Sequence, residues 1–252
     1  MKILLRISFL GTNYCGYQIQ KEHRTVQQTL CEAAERVFGV KCDITGCSRT
    51  DSGVHAYGFC ATVTEHGSKT IETTIPIEKI PLVFASVLPA DISILSAQWV
   101  GEEFHPRYDV RYKEYVYKIY NAPVADPFLA DRTWHYPKTL DECAIDRMNR
   151  AAHAFIGKFD FCSYMASGSD IKDTVRTVFD ADVTREGDIV VFRVCADGFL
   201  YNMVRIFMGT LISVAEGKID PDDIVKITQA KDRSLAGNTA PAMGLYLNKV
   251  VY

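Results

Sequence analysis

The chain has 252 residues, 48% hydrophobic and 23% charged, which suits a globular protein with a sizeable core, as one large domain or two small ones. No apolar run is long enough to span a bilayer, and no tract has the low complexity of a disordered tail. A net charge of −3 argues weakly against a nucleic-acid partner, although a basic footprint can be local.

Lys2–Leu10 reads as a strand, with Ile3, Leu5, Ile7 and Phe9 on one face. It lacks the apolar core of a signal peptide, so a soluble cytoplasmic protein is expected. Thr25 and Gln28 fit a capping box, Gly39 a helix stop, and Val26, Leu30, Ala33 and Val37 the apolar stripe between them. Strands follow near Lys41–Gly46 and Tyr57–Thr64. Pro81 opens a short helix to about Leu88, and Ile92–Val100 is another strand. In the second half Arg111–Asn121 is a tyrosine-rich strand. Thr139 and Glu142 fit a second capping box, with Gly157 as the stop. Arg176–Thr184 and Ile189–Phe199 form a hairpin about Arg185–Asp188. Because Ile189–Phe199 is apolar on both faces, it is expected to be a central strand. Helices cover about Asn202–Glu216 and start again at Asp220, with Pro221 at the first position. Leu245–Val251 closes the chain as a strand.

Each half thus runs in a β-α-β-β-α-β manner, as ferredoxin-like units do. The expected fold is α+β, with two such units sharing one mixed or antiparallel sheet: residues 1–105, carrying the loop described next, and residues 106–252. No linker-like segment separates them.

The eight cysteines form no CxxC, and the six histidines no HxxxH or HExxH. A metal site therefore has little support, and no P-loop or dinucleotide fingerprint calls for a cofactor. Between Phe104 and Asn121, Arg107, Arg111, Lys113 and Lys118 alternate with Tyr108, Tyr112, Tyr115, Tyr117 and Tyr120. Such interleaving suits phosphates and stacked bases, but ordinary cross-strand packing explains this stretch as well.

Two features stand out. The loop Gly46-Cys47-Ser48-Arg49-Thr50-Asp51-Ser52-Gly53-Val54-His55-Ala56 is too long for a tight hairpin and is built mostly of small residues, which let a ligand come close. It is either a functional loop or a turn with a local Arg49–Asp51 pair. The second feature is Arg205, in an otherwise apolar helix that is expected to be buried. A buried arginine needs a carboxylate. Asp51 is one candidate; Asp197, Glu216 or a surface phosphate are others.

At these residues a family resemblance appears. Ser48-Arg49-Thr50-Asp51-Ser52-Gly53-Val54-His55-Ala56 resembles the GRTDAGVHA signature of the tRNA pseudouridine synthase A family. The likeness continues in order at Phe104-His105-Pro106-Arg107, Tyr115–Asn121, Val175-Arg176-Thr177, Asn202-Met203-Val204-Arg205, Ala230-Lys231-Asp232-Arg233 and Gly244-Leu245-Tyr246-Leu247. It departs at Ser48, Ser52, Leu10 and Tyr17, where the family usually has Gly, Ala, Asp and Trp. The Leu10 change bears on substrate range more than on catalysis.

The resemblance implies a homodimeric, cofactor-free isomerase with the pseudouridine synthase fold. Its substrate would be the anticodon stem-loop of tRNA, at uridines 38, 39 and 40. The N1–C1′ bond breaks, the base turns, and C5 bonds to C1′. Asp51 would be the catalytic carboxylate, attacking C1′ or removing the C2′ proton. Desolvation disfavours a charged carboxylate, so a cation must keep it ionised, a task that suits Arg205. Arg49 would hold the extruded nucleotide. Tyr115 would stack on the uracil and help remove the C5 proton, Leu245 would line the pocket, and Arg107, Arg111 and Arg176 would meet phosphates. His55 is expected to be a packing residue. Two other classes stay open: a non-catalytic RNA-binding protein on two RRM-like units, and a hydrolytic nucleosidase, which typically needs a second carboxylate.

Overall fold

In a computed structural model the structure describes residues 1–168 and 171–252. The chain forms two units, Met1–Arg111 with Leu247–Tyr252, and Tyr112–Tyr246. The division thus follows Arg111, and the last six residues return to the first unit. Among the described residues no helix is long and apolar enough to cross a membrane.

The first unit runs β1 (Lys2–Phe9), α1 (Val26–Phe38), β2 (Cys42–Gly46), β3 (His55–Glu65), α2 (Ile80–Ala85) and β4 (Ile92–Val100). The strands pair antiparallel in the order β4-β1-β3-β2, the ferredoxin-like arrangement expected from the element order. Ile3, Leu5, Ile7 and Phe9 all lie in the core, so the period-2 reading of β1 is correct. Thr25 caps α1 by accepting from the Gln28 N–H at 3.3 Å. The reciprocal half of the box is not made, because the Gln28 amide donates to Glu32 Oε1 at 3.0 Å instead. Gly39 ends the helix at φ 72°, a left-handed position that costs glycine little. The buried stripe is Val26, Leu30, Ala33 and Ala34; Val37 is only half-buried.

The second unit runs β5 (Tyr112–Tyr120), β6 (Trp134–His135), α3 (Glu142–His153), β7 (Gly157–Asp160), β8 (Val175–Glu186), β9 (Ile189–Ala196), α4 (Met203–Ala215) and α5 (Ile224–Ala230). The final strand β10 (Leu245–Val251) starts in this unit and ends in the first. Its strand order is β5-β9-β8-β7, antiparallel, with β6 parallel to β5, so the sheet is mixed and largely antiparallel. β9 is central as expected, but its face carrying Ile189, Val191, Arg193 and Cys195 is only partly covered. The N-cap of α3 is Asp141, which accepts from the Ala144 N–H at 2.7 Å, and not Thr139. Gly157 does not stop the helix; it opens β7 at φ 133°. Short strands such as β6 and β7 carry too few residues to show a period.

The core of this unit is built on α4, with ten of its thirteen residues buried. Phe207 stacks on Phe155 at 3.9 Å between ring centroids and meets Phe161 and Tyr164 edge-on. Such aromatic pairs add about 0.5–1.5 kcal/mol beyond the area they bury. In β5 the tyrosines divide: Tyr115 and Tyr117 are core residues, Tyr112 and Tyr120 half-buried. Packing thus accounts for most of this stretch.

Candidate functional site

The Asp51 loop joins β2 to β3 within the first unit. Past the end of β2 the ladder continues for one more bond, from the Cys47 N–H to Cys60 O at 2.8 Å. The loop then leaves the sheet and lies against the segment after β1. The Tyr17 N–H donates to Thr50 O at 3.1 Å, the Val54 N–H closes a turn on Asp51 O at 3.2 Å, and the Ser52 hydroxyl donates to Tyr14 O at 3.2 Å. Gly16 permits this approach. It has φ 81°, and a Cβ there would lie 2.6 Å from Thr50 O.

His55 is fully buried, and its Nδ1 accepts the Gly11 N–H at 2.9 Å. It is a scaffold residue, as its sequence position suggested. An acceptor role requires the lone pair of a neutral imidazole. Beneath the loop, Tyr17 is 2% exposed and packs on Phe59 at 4.4 Å. Burial pushes its phenol well above the usual range. The Tyr17 and Thr50 hydroxyls are buried without a hydrogen-bond partner among the described residues.

Asp51 therefore sits half-buried on a backbone held from both sides, and Arg49 is exposed beside it. Arg107 is half-buried and close enough to act electrostatically on the Tyr17 phenol. These three predicted residues share the first unit. Arg111 is exposed there too.

Tyr115, Arg176, Arg205 and Leu245 lie in the second unit. Arg205 is half-buried in the first turn of α4, so the expectation of full burial is corrected. An arginine there can reach past the helix end, where two of its donors meet a backbone carbonyl and an amide oxygen. Its Nε donates to Ala240 O and one terminal nitrogen to Asn202 Oδ1, each at 2.8 Å. Asn202 is the left-handed residue before the helix, at φ 59°. The chain at 237–240 lies directly on α4, because a Cβ on Gly209 would overlap Asn238 O. The Gly237 N–H donates to Thr210 Oγ1 at 2.9 Å, and the Ala240 N–H to Arg205 O at 3.1 Å.

Tyr115 is 6% exposed and meets Phe199 edge-on at 4.9 Å. Tyr117, two residues on, donates its hydroxyl to Pro241 O at 2.6 Å. Leu245, at the start of β10, is buried. Arg176 is half-buried and donates to Asp173 O at 3.0 Å and Val175 O at 2.5 Å. Part of its donor capacity is thus engaged by its own strand end.

Tyr17, Asn202 and the 237–240 segment escaped the sequence reading as site residues. The available signals were Gly209 in an apolar helix and Gly237 in a polar loop, which mark a close backbone approach but do not say with what.

A family model described as tRNA pseudouridine synthase matches residues 6–109 and 151–252. Curated relatives named tRNA pseudouridine synthase A include one from Acetivibrio thermocellus, 44% identical over 251 residues, and one from Caldicellulosiruptor saccharolyticus, 42% identical over 250; each alignment covers 99% of both chains. A Clostridium tetani protein named tRNA pseudouridine synthase A 2 is 42% identical over 252 residues, covering 99% of this chain and 98% of its own. With the signature loop held on a ferredoxin-like unit and the likeness running the length of the chain, the protein belongs to the tRNA pseudouridine synthase family, isomerases that convert uridine to pseudouridine.

Proposed function

We propose that the chain isomerises uridine 38, 39 or 40 in the anticodon stem-loop of tRNA, with Asp51 as the catalytic carboxylate. The observation that carries this reading is the Asp51 loop itself. Bonds from Tyr17 to Thr50 O and within the Asp51–Val54 turn fix its backbone, while Asp51 stays half-buried and Arg49 exposed. A carboxylate on a preorganised backbone pays little to reach the reacting geometry.

In the proposed reaction the target nucleotide is extruded and Arg49 holds it from the RNA side. Asp51 then acts by one of two routes. As a nucleophile it bonds to C1′ while the N1–C1′ bond breaks, and the uracil leaves as its anion. As a base it takes the C2′ proton while the N1–C1′ bond breaks, which gives a glycal-like sugar and the same uracil anion. In both, the base turns and C5 bonds to C1′. In the nucleophilic route the Asp51–C1′ bond breaks as that bond forms; in the glycal route the proton returns to C2′. The C5 proton then leaves and N1 ends protonated, so atoms and charge balance without a redox partner. Tyr115 assists loss of the C5 proton, Leu245 packs on the base, and Arg205 supplies the positive charge that keeps Asp51 ionised once water is expelled. Arg107, Arg111 and Arg176 meet phosphates. The proposed active form is a cytoplasmic homodimer contacting one tRNA, and sedimentation of a fully active monomer would overturn that part.

The test is incubation with unmodified tRNA, nucleoside analysis by mass spectrometry, and mapping of the product position. Pseudouridine at one or more of positions 38–40 is expected, in the presence of a chelator and without added cofactor. Free uracil would identify a nucleosidase, and unchanged tRNA a binding protein.

A further inference from the structure

Among the tyrosines of the 104–121 stretch, Tyr108 differs from the rest. It is 76% exposed, and its ring stacks on His105 at 4.3 Å between centroids, with 30° between planes. Packing does not explain it, since it buries little.

The loop that presents it is held tightly. The Tyr108 and Asp109 N–H groups donate to His105 O at 3.2 and 3.1 Å, and the Phe104 N–H to Gly101 O at 3.2 Å. The His105 N–H donates to Asp109 Oδ2 at 2.9 Å and the Arg107 N–H to His105 Nδ1 at 3.1 Å. Underneath, Tyr252 donates its hydroxyl to Pro106 O at 2.9 Å and packs edge-on to Phe104. Lys2 Nζ donates to Phe104 O at 3.0 Å. Burial, with the charges of Arg107 and Lys2, lowers the pKa of His105, in keeping with a ring whose Nδ1 lone pair accepts the Arg107 N–H.

The surrounding charges also matter. The guanidinium groups of Arg107 and Arg111 make no hydrogen bond or ion pair among the described residues. The nearby acids are engaged: Asp109 with the His105 N–H, Glu103 with Lys69 at 3.6 Å and Glu102 with the Met1 amine at 3.8 Å. The Arg107 charge acts on the buried Tyr17 phenol, and Tyr17 supports the Asp51 loop through its N–H bond to Thr50 O. A rigid, exposed aromatic face beside uncommitted arginines is what single-stranded RNA recognition requires: the ring stacks a base at low ordering cost, and the cations meet its phosphates.

We infer that the His105–Tyr108 stack is a platform for one unpaired base of the RNA near the target nucleotide, with Arg107 and Arg111 on the adjoining phosphates. The inference rests on RNA as the substrate, but not on which uridine is modified.

The experiment compares Tyr108→Ala, Tyr108→Leu and Tyr108→Trp with wild type for affinity toward unmodified full-length tRNA, salt dependence of that affinity, and thermal midpoint. Ala and Leu should each weaken binding about ten-fold, with unchanged thermal midpoint and unchanged salt slope. Trp should bind like wild type, and its fluorescence should quench on tRNA addition beyond the signal from Trp99 and Trp134. Arg107→Ala and Arg111→Ala should each reduce the salt slope by about one. Wild-type affinity of Tyr108→Leu, a Trp signal indifferent to tRNA, or a binding loss accompanied by a lower thermal midpoint would each overturn the platform. Wild-type protein that binds tRNA but isomerises no uridine would defeat the proposed reaction instead, leaving the binding comparison decisive for the platform.

Discussion

Tyr117 and Arg205 hold adjacent carbonyls: the phenol donates to Pro241 O at 2.6 Å and the guanidinium Nε to Ala240 O at 2.8 Å. One residue comes from β5 and the other from α4, so the 240–241 backbone is pinned to strand and helix just before Leu245. Burial raises the Tyr117 pKa above the usual range, and the Arg205 charge opposes that shift; the phenol remains a donor at physiological pH. Tyr117→Phe should cost about 1 kcal/mol of stability and leave tRNA affinity intact. Denaturant unfolding checks this, and an unchanged midpoint would show that the bond contributes nothing net.

Asp51→Asn keeps the shape of the side chain and removes the charge. It should fold and bind tRNA as wild type does, while the single-turnover rate falls by at least about 10²-fold, the low end of what a positioned acid or base supplies. Residual turnover within a few-fold of wild type would mean that another group carries the reaction.

Arg205→Met tests the task proposed for Arg205. Without the cation, a desolvated Asp51 favours its protonated, inactive form, and raising the pH restores the carboxylate. The variant should bind tRNA nearly normally, lose the chemical step at neutral pH and regain rate as pH increases. Arg49→Ala should be slow without that extra pH dependence. A profile parallel to wild type for Arg205→Met, with the defect confined to binding, would make Arg205 a phosphate contact.

Tyr115→Phe leaves the ring against Phe199 and removes only the hydroxyl. Binding and thermal stability should stay at wild-type values while turnover drops, by roughly 10²-fold if the hydroxyl moves a proton. Wild-type turnover would reduce Tyr115 to a packing residue.

Glu216, at the C-terminal end of α4, accepts from Lys138 and Lys218 at 2.6 Å each and from the Tyr136 hydroxyl at 2.9 Å. Hydrogen bonds from Lys138, Lys218 and Tyr136, in that order, lower its pKa from 4.5 to about 2. A lowered folded-state pKa means stability that is present above pH 4.5 and lost as pH falls toward 2. Glu216→Gln should flatten that part of the melting-temperature profile; an unchanged acid limb would place the acid sensitivity elsewhere.

Much of this protein is legible before any coordinates. Thr25 and Gly39 bracket α1 because capping is decided by residues three or four apart, and the alternation of Ile3, Leu5, Ile7 and Phe9 follows from the two-residue period of a strand. The Asp51 loop is legible for the same reason: its chemistry is contiguous in the chain. Fold class follows from element order, since few topologies accept β-α-β-β-α-β. Tertiary structure decides whatever depends on neighbours remote in sequence. Asp141 and not Thr139 caps α3, because only one of two nearby polar residues meets the helix N–H groups. Arg205, read as buried, reaches past its helix end to Asn202 and Ala240. Tyr17 supports Thr50 from thirty-odd residues away. Of five tyrosines in one stretch, Tyr115 and Tyr117 enter the core and Tyr108 faces water. No local pattern distinguishes them, because burial is set by which strands and helices pack over each ring.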